Sequence, residues 1–269
     1  QIGRALEHVH RDLEQRVRIA ERLRPLLPWL VMGAFLLLWE AVVRLFHIPV
    51  FLLPAPSAVA ASLIEWAPQI RDNALATLAT TVAGFALAIV FGVAGGVTIG
   101  SSATLYAAFY PLLIGFNAVP KVAIVPMVVW FGIGAVPAIL TAFLISFFPI
   151  LVNVATGIAT VEPELKDVLR ALGASNRQIV AKVGLPRAMP YFFASLKVAI
   201  TVAFVGSIMS ETVASNVGIG SLMMTASARF EVPLVFAGLV VTAVMGILLY
   251  LVAEAIEKRV VGWAMRGHR

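Results

Sequence analysis

A chain of 269 residues that is 61% hydrophobic and 13% charged, with a mean hydropathy of +0.97, is too apolar for a soluble domain of this length. Its formal charge of +6 directs attention to the side of a bilayer on which Lys and Arg collect, rather than to nucleic acid. The chain has no cysteine, and His8, His10, His47 and His268 lack ligand spacing, so disulfides, thiolate metal sites and metal-dependent catalysis are not expected.

From Ile2 to Leu23 apolar residues recur every three or four positions between arginines and glutamates. That pattern predicts an amphipathic helix on a membrane surface, on the cytoplasmic side, within an N-terminal segment 1–28. The stretch is too charged for a signal peptide. A spanning helix needs about 20 mainly apolar residues, and six stretches qualify, near 29–46, 74–100, 106–131, 137–159, 190–212 and 233–256. The predicted fold is therefore an all-α membrane domain over 29–256, with a cytoplasmic tail at 257–269. Trp29, Trp66 and Trp263 fall near the predicted interfaces, as belt anchors do.

Of the 20 basic residues, six precede the first span, five lie between spans four and five (Lys166, Arg170, Arg177, Lys182, Arg187) and four follow the last. Arg44, Arg71 and Arg229 lie on the other side, so the bias places both termini in the cytoplasm of a multi-pass protein. Between the first two spans, two prolines in FLLPAPSAV break the helix before a short amphipathic segment.

The connection at 162–190 carries structure of its own. Pro163 and Gly173 bracket PELKDVLRALG, in which Leu165, Val168, Leu169 and Leu172 share one face. Glu164 and Asp167 near its start and Arg170 near its end suit the helix dipole. Ser175 or Asn176 then caps a second short helix, expected to stop at Gly184, Leu185 and Pro186. A passive connector has no use for an apolar helical face, whereas a knob docking into a partner's groove does.

The stretch DVLRALGASNRQIVAKVGLP resembles the EAA loop of ABC importer permeases, with Gly173, Val183, Leu185 and Pro186 at the matching spacings. Asp167 stands for the family's Glu, and Val168 and Leu169 for its two alanines. LLLWEAVVRLF, LPAPSAV, NAVPKVAIVPMVVWFGIG and SETVASNVGIG extend the likeness, in order, to the nitrate/sulfonate/bicarbonate (NitT/TauT-like) branch. The resemblance implies a type I importer membrane domain in the bacterial inner membrane. It also implies a second permease copy, two ATPase subunits that bind ATP and Mg, a periplasmic solute-binding protein, and a coupling role for Asp167, Leu169, Ala171, Gly173, Ala174, Val183, Leu185 and Pro186. The chain itself holds no G-x-x-x-x-G-K-[ST] phosphate loop and is expected to be a non-catalytic subunit. A homodimer is the simpler expectation.

Within the spans, Gly84, Gly92, Gly96 and Gly100 let another helix approach closely, either as a sliding surface or as static packing. Asn117, Pro120, Lys121 and Pro126 interrupt the third span and suit the wall of a pathway. Lys121 is a candidate to meet an anionic solute, or else a snorkelling or ion-paired residue. Glu211, before Ala214, Ser215 and Asn216, either helps form an outer gate or caps the loop that follows. Glu40 and Arg44, four apart, are expected to pair, and Lys197 to snorkel. Met223, Met224, Gly218 and Gly220 make the loop before the last span apolar and flexible, suited either to a binding-protein surface or to membrane-surface packing. The rival classes are an ion-coupled secondary transporter and an intramembrane enzyme, which call respectively for internal repeats with intramembrane carboxylates and for a nucleophile with its base. The solute expected from the resemblance is a small anion (sulfonate, nitrate or bicarbonate) or a heterocyclic vitamin or precursor.

Overall fold

The computed structural model describes residues 26–260, except the side chains of residues 117, 118, 121, 122 and 126–128. The predicted amphipathic segment at the N-terminus, up to residue 25, and the tail from residue 261, with Trp263, lie outside the described residues. In chain order the helices are α1 (Leu27–Leu45), α2 (Pro56–Glu65), α3 (Ala67–Gly100), α4 (Ala103–Ala118), a 3-10 segment (Lys121–Phe131), α5 (Ala135–Ala159), α6 (Pro163–Ala171), α7 (Asn176–Ile179), a π-turn (Val180–Gly184), α8 (Leu185–Ala214), α9 (Ile219–Ala228) and α10 (Val232–Val260).

Five helical stretches among the described residues are long and apolar enough to cross a membrane: α1, α3, α5, the run from α7 through α8, and α10. The third expected span, 106–131, is not one continuous helix. The α-helix ends at Ala118, Val119 is extended, and a 3-10 segment follows. Pro120 disfavours helical geometry at the residue before it and has no N–H to donate, which explains the break.

The core is a three-helix stack of α3, α5 and α8. Along one face of α3, Gly84, Ala88, Gly92, Gly96 and Gly100 recur every four residues and are buried, so the α5 backbone can lie against them. A Cβ at Gly84 would sit 2.6 Å from both Ala142 Cβ and Ile139 O, and one at Gly100 2.6 Å from Ala155 O. Ile150 and Val154 of α5 fill the grooves at Gly92 and Gly96. Two further contacts of the same kind close the stack, with Gly157 of α5 against Ala188 of α8 and Gly206 of α8 against Thr141 and Ile145 of α5.

Helix α1 stands apart, with Val43 its one buried residue. Its attachment to α2 is polar: Arg44 Nε donates to Glu40 Oε1 at 2.6 Å, and Ser57 donates to both Glu40 oxygens. The expected Glu40–Arg44 pair thus has Ser57 as a third member. Lys197 does not reach outward as expected. Its Nζ lies 2.6 Å from Glu257 Oε2, and the pair joins α8 to α10. Glu257 is buried, so a nearby cation is worth more to it than headgroups are to Lys197.

Candidate functional site

Two features stand at opposite ends of α8. At its start is the loop formed by α6, α7 and the π-turn. Pro163 opens α6, and Leu172 and Gly173 close it, with Gly173 at φ +85° in the left-handed region. Among the described residues no neighbour lies within 4 Å of a Cβ built on Gly173, so backbone conformation selects glycine there. The Ser175 hydroxyl accepts from Gln178 N while Gln178 Oε1 accepts from Ser175 N, a reciprocal cap that starts α7. Arg187 reaches back to Glu162 and fastens the two ends of the loop. The Glu162 carboxyl is held below its ordinary pKa by its own backbone N–H and, after that, by Arg187.

α6 has no buried residue. Val168 is 56% and Leu172 78% exposed, so part of its apolar face is uncovered among the described residues, while Leu165 and Leu169 are half-buried. Leu169, Gly173, Ala174 and Val183 line a crevice of about 310 Å³ between α6 and α7. Asp167, Ala171, Leu185 and Pro186 are exposed and do not line this crevice, so the structure brings together four of the eight residues assigned to this loop. The second helix does not stop at Gly184–Pro186 as expected. It widens into the π-turn, where Leu185 N bonds Val180 O, and continues as α8. The five-residue step accommodates Pro186, whose missing N–H falls at the first turn of α8.

At the far end of α8 a buried polar knot surrounds Glu211, which is 2% exposed. Its Oε2 accepts from Thr77 Oγ1 at 2.8 Å and from Gly220 N at 3.1 Å. Thr80 Oγ1 lies 3.4 Å from its Oε1 and 2.5 Å from Ser207 Oγ. Thr77 Oγ1 in turn accepts from Ile219 N at 2.9 Å, and Asn73 Oδ1 accepts from Gly218 N at 2.7 Å. Three successive N–H groups at the start of α9 are therefore capped by side chains from α3 and α8, while Gly218 (φ +106°) supplies no side-chain cap of its own. The carboxylate also faces the positive end of the α9 dipole. Unpairing three buried N–H groups would cost about 3–9 kcal/mol at about 1–3 each.

The expected pathway residues fall on different elements. Asn117 lies in the last turn of α4, and Pro120 and Lys121 at the start of the 3-10 segment; the side chains of Asn117 and Lys121 are outside those described. Glu211 lies inside the knot. Two crevices of about 140 and 350 Å³ share Ile145 and Phe148 on α5, the first bounded by Phe116, Val119 and Ile124, the second by Asn153, Val198 and Val202. Asn73, Thr77, Thr80 and Ser207 were missed from sequence. A row of hydroxyls at 77, 80 and 81 near the start of an apolar stretch was the available signal, and the partners of Thr77 and Thr80 lie more than 120 positions away in the chain.

Residues 84–262 match the model of the family described as "Binding-protein-dependent transport system inner membrane component". The chain belongs to this family. It is an ABC importer permease, and its membrane-embedded, all-helical fold agrees with the likeness seen in the sequence. It is similar to the riboflavin transport system permease protein RibX of Chloroflexus aurantiacus, at 32% identity over 91% of this chain and 96% of that one. The taurine transport system permease protein TauC of Escherichia coli is 29% identical over 86% and 87% of the two chains. Among solved structures, the inward-facing MetNI methionine ABC transporter has a TM-score of 0.59 at 22% identity, covering 69% of this permease and 93% of that chain, which is a likeness of fold.

Proposed function

We propose that this permease, paired with a second copy of itself, forms the inner-membrane pathway for a small solute handed over by a periplasmic binding protein. The force comes from two separate ATPase subunits, which bind ATP and Mg, through the loop 162–190. Both termini are cytoplasmic in this reading, as the distribution of Lys and Arg supports. The observation that carries it is the part of the apolar face of α6 left uncovered among the described residues, Val168 and Leu172. An amphipathic helix with one bare face is what a groove on a partner receives. Asp167, Leu169, Ala171, Gly173, Ala174, Val183, Leu185 and Pro186 are assigned to this contact. Asn117, Pro120 and Lys121 are assigned to the pathway wall beside the break after α4.

For the solute, the names of the relatives support two chemistries, a heterocycle as for RibX and a small sulfonate as for TauC. Titrating the partner binding protein with flavins, pyrimidines, sulfonates, nitrate and bicarbonate separates them. Leu172→Asp tests the loop: the permease is expected to insert normally, to lose co-purification with its ATPase and to lose uptake in proteoliposomes. Uptake at the unmodified rate would overturn the assignment.

A further inference from the structure

We infer that Glu211 is a positioning residue that makes α9 move as one body with the outer ends of α3 and α8 during the transport cycle, not a residue that contacts solute. The inference rests on the importer function proposed above. Helix α9 is ten residues long and has no side-chain cap of its own, yet the N–H groups of Gly218, just before it, and of Ile219 and Gly220, its first two residues, are all paired. Gly218 N donates to Asn73, Ile219 N to Thr77 and Gly220 N to Glu211. The donors form one continuous chain: Ile219 N–H bonds Thr77 Oγ1, whose own proton goes to the same Glu211 oxygen that accepts from Gly220. No member can leave without breaking the others' geometry. The room around the carboxylate is already taken. Ile208 O and Glu211 itself crowd Gly220, and Glu211 crowds Gly218, so these two glycines are small because the carboxylate lies on them.

Glu211 is on the last turn of α8, whose first turn adjoins the loop at 162–190. Any displacement of α8 therefore reaches α9 through this side chain. On the opposite flank, Met223 packs closely over Gly238 of α10, an apolar contact. The hydrogen-bonded side facing α3 and α8 fixes the register of α9 on that pair through directional bonds, whereas the side facing α10 is held by apolar packing.

The test uses the assembled transporter with its ATPase and binding protein in proteoliposomes. Glu211→Gln and Thr77→Val are expected to lower uptake at least tenfold while the ATPase subunits still co-purify, which Leu172→Asp does not allow, so a failure here is distinguishable from a failure of the loop assignment. Stimulation of ATP hydrolysis by the binding protein is expected to fall below twofold, and Thr77→Ser, which keeps the hydroxyl, is expected to restore both. Independently, the chain has no cysteine, so spin labels can be placed at Leu75→Cys on α3 and Met224→Cys on α9, both exposed. Their distance is expected to be the same in nucleotide-free and vanadate-trapped transporter. A change in that distance between the two states, or uptake by Glu211→Gln within twofold of the unmodified protein, would overturn the proposal. Should Glu211→Gln fail to assemble, the label distance decides alone.

Discussion

Replacing Gly84 by Ala tests whether the α3–α5 interface is set by backbone contact. The added Cβ would lie 2.6 Å from Ala142 Cβ, 2.6 Å from Ile139 O and 2.9 Å from Phe143 N. Two of these atoms are backbone, so no rotamer change relieves the overlap. Restoring ordinary separations of about 3.5 Å requires α5 to retreat by about 1 Å. Overpacking of this kind costs about 1–3 kcal/mol, against a helix-propensity gain of about 1 kcal/mol for Gly→Ala. Gly33→Ala on α1 gains the same propensity and meets nothing within 4 Å, so the difference between the two variants isolates the contact. At about 2–4 °C per kcal/mol, Gly84→Ala is expected to melt about 2–12 °C below Gly33→Ala, followed by tryptophan fluorescence or size-exclusion after heating in detergent. Gly95→Ala is the internal comparison. Its nearest neighbour is the flexible Leu151 Cδ1 at 2.9 Å, and it should melt with Gly33→Ala. Equal melting of all three would refute the argument that backbone proximity rather than side-chain size selects glycine at 84.

Lys197→Ala leaves the buried Glu257 carboxylate without its partner. About 3–5 kcal/mol of destabilisation is expected, largely recovered in Lys197→Met/Glu257→Gln, as a thermal-melting double-mutant cycle would report. Gly173→Val forces a β-branched residue to φ +85°, at a cost of about 1–2 kcal/mol; melting should fall by no more than about 2–8 °C while ATPase co-purification falls, with Gly173→Asn the milder variant. Because the Glu162 carboxyl is held below its ordinary pKa, first by its own backbone N–H and then by Arg187, its contribution to holding the loop is present above the ordinary carboxylate range and is lost as pH falls through the depressed value. Arg187→Gln should move the Glu162 titration upward, read by carboxyl carbon NMR; an unmoved midpoint would contradict the pairing.

How much of this was legible in the sequence depended on the range of the physics involved. The α3 glycines announce themselves by a four-residue period and imply a closely packed helix, which the structure shows to be α5. The partner's identity was not readable, because nothing local in Ile150 or Val154 distinguishes a groove-filling side chain from a lipid-facing one. Hydropathy placed the second span at 74, whereas α3 begins at Ala67: Gln69, Arg71, Asp72 and Asn73 end the apolar window without ending the helix, which at 34 residues is about 50 Å long and overreaches a hydrocarbon core of about 30 Å. The opposite error occurs at 106–131, where hydropathy stays high across Pro120 while the backbone breaks. Pro186 misled in a third way, since a proline stops a helix only if an i→i−4 bond was needed there, and the π-turn before it removes that need. Glu211 was visible as an intramembrane carboxylate, but its role depended on Thr77 and on Ile219 N and Gly220 N, which no spacing rule connects.

The placement of α8 joins these parts into one argument. Its first turn follows the π-turn of the loop beneath α6, and its last turn carries Glu211; between them it is 30 residues long, about 45 Å at 1.5 Å per residue. Pro190 sits near its start, and beyond that point Ala199, Ala203 and Gly206 are buried, with Gly206 held against Thr141 and Ile145 of α5. A rod clamped along its length by close backbone contact transmits displacement rather than absorbing it, because packed interfaces shift between discrete arrangements and do not deform continuously. On the proposed function, force entering at α6 therefore bends the chain near the loop and moves the rest of α8 as a unit, with α3 and α5 carried along by the glycine stripe and α9 by Glu211. Softening the rod itself, for example with Ala199→Pro, should abolish uptake while α6 still holds the ATPase, whereas undiminished uptake would mean that force reaches the outer end by some other helix.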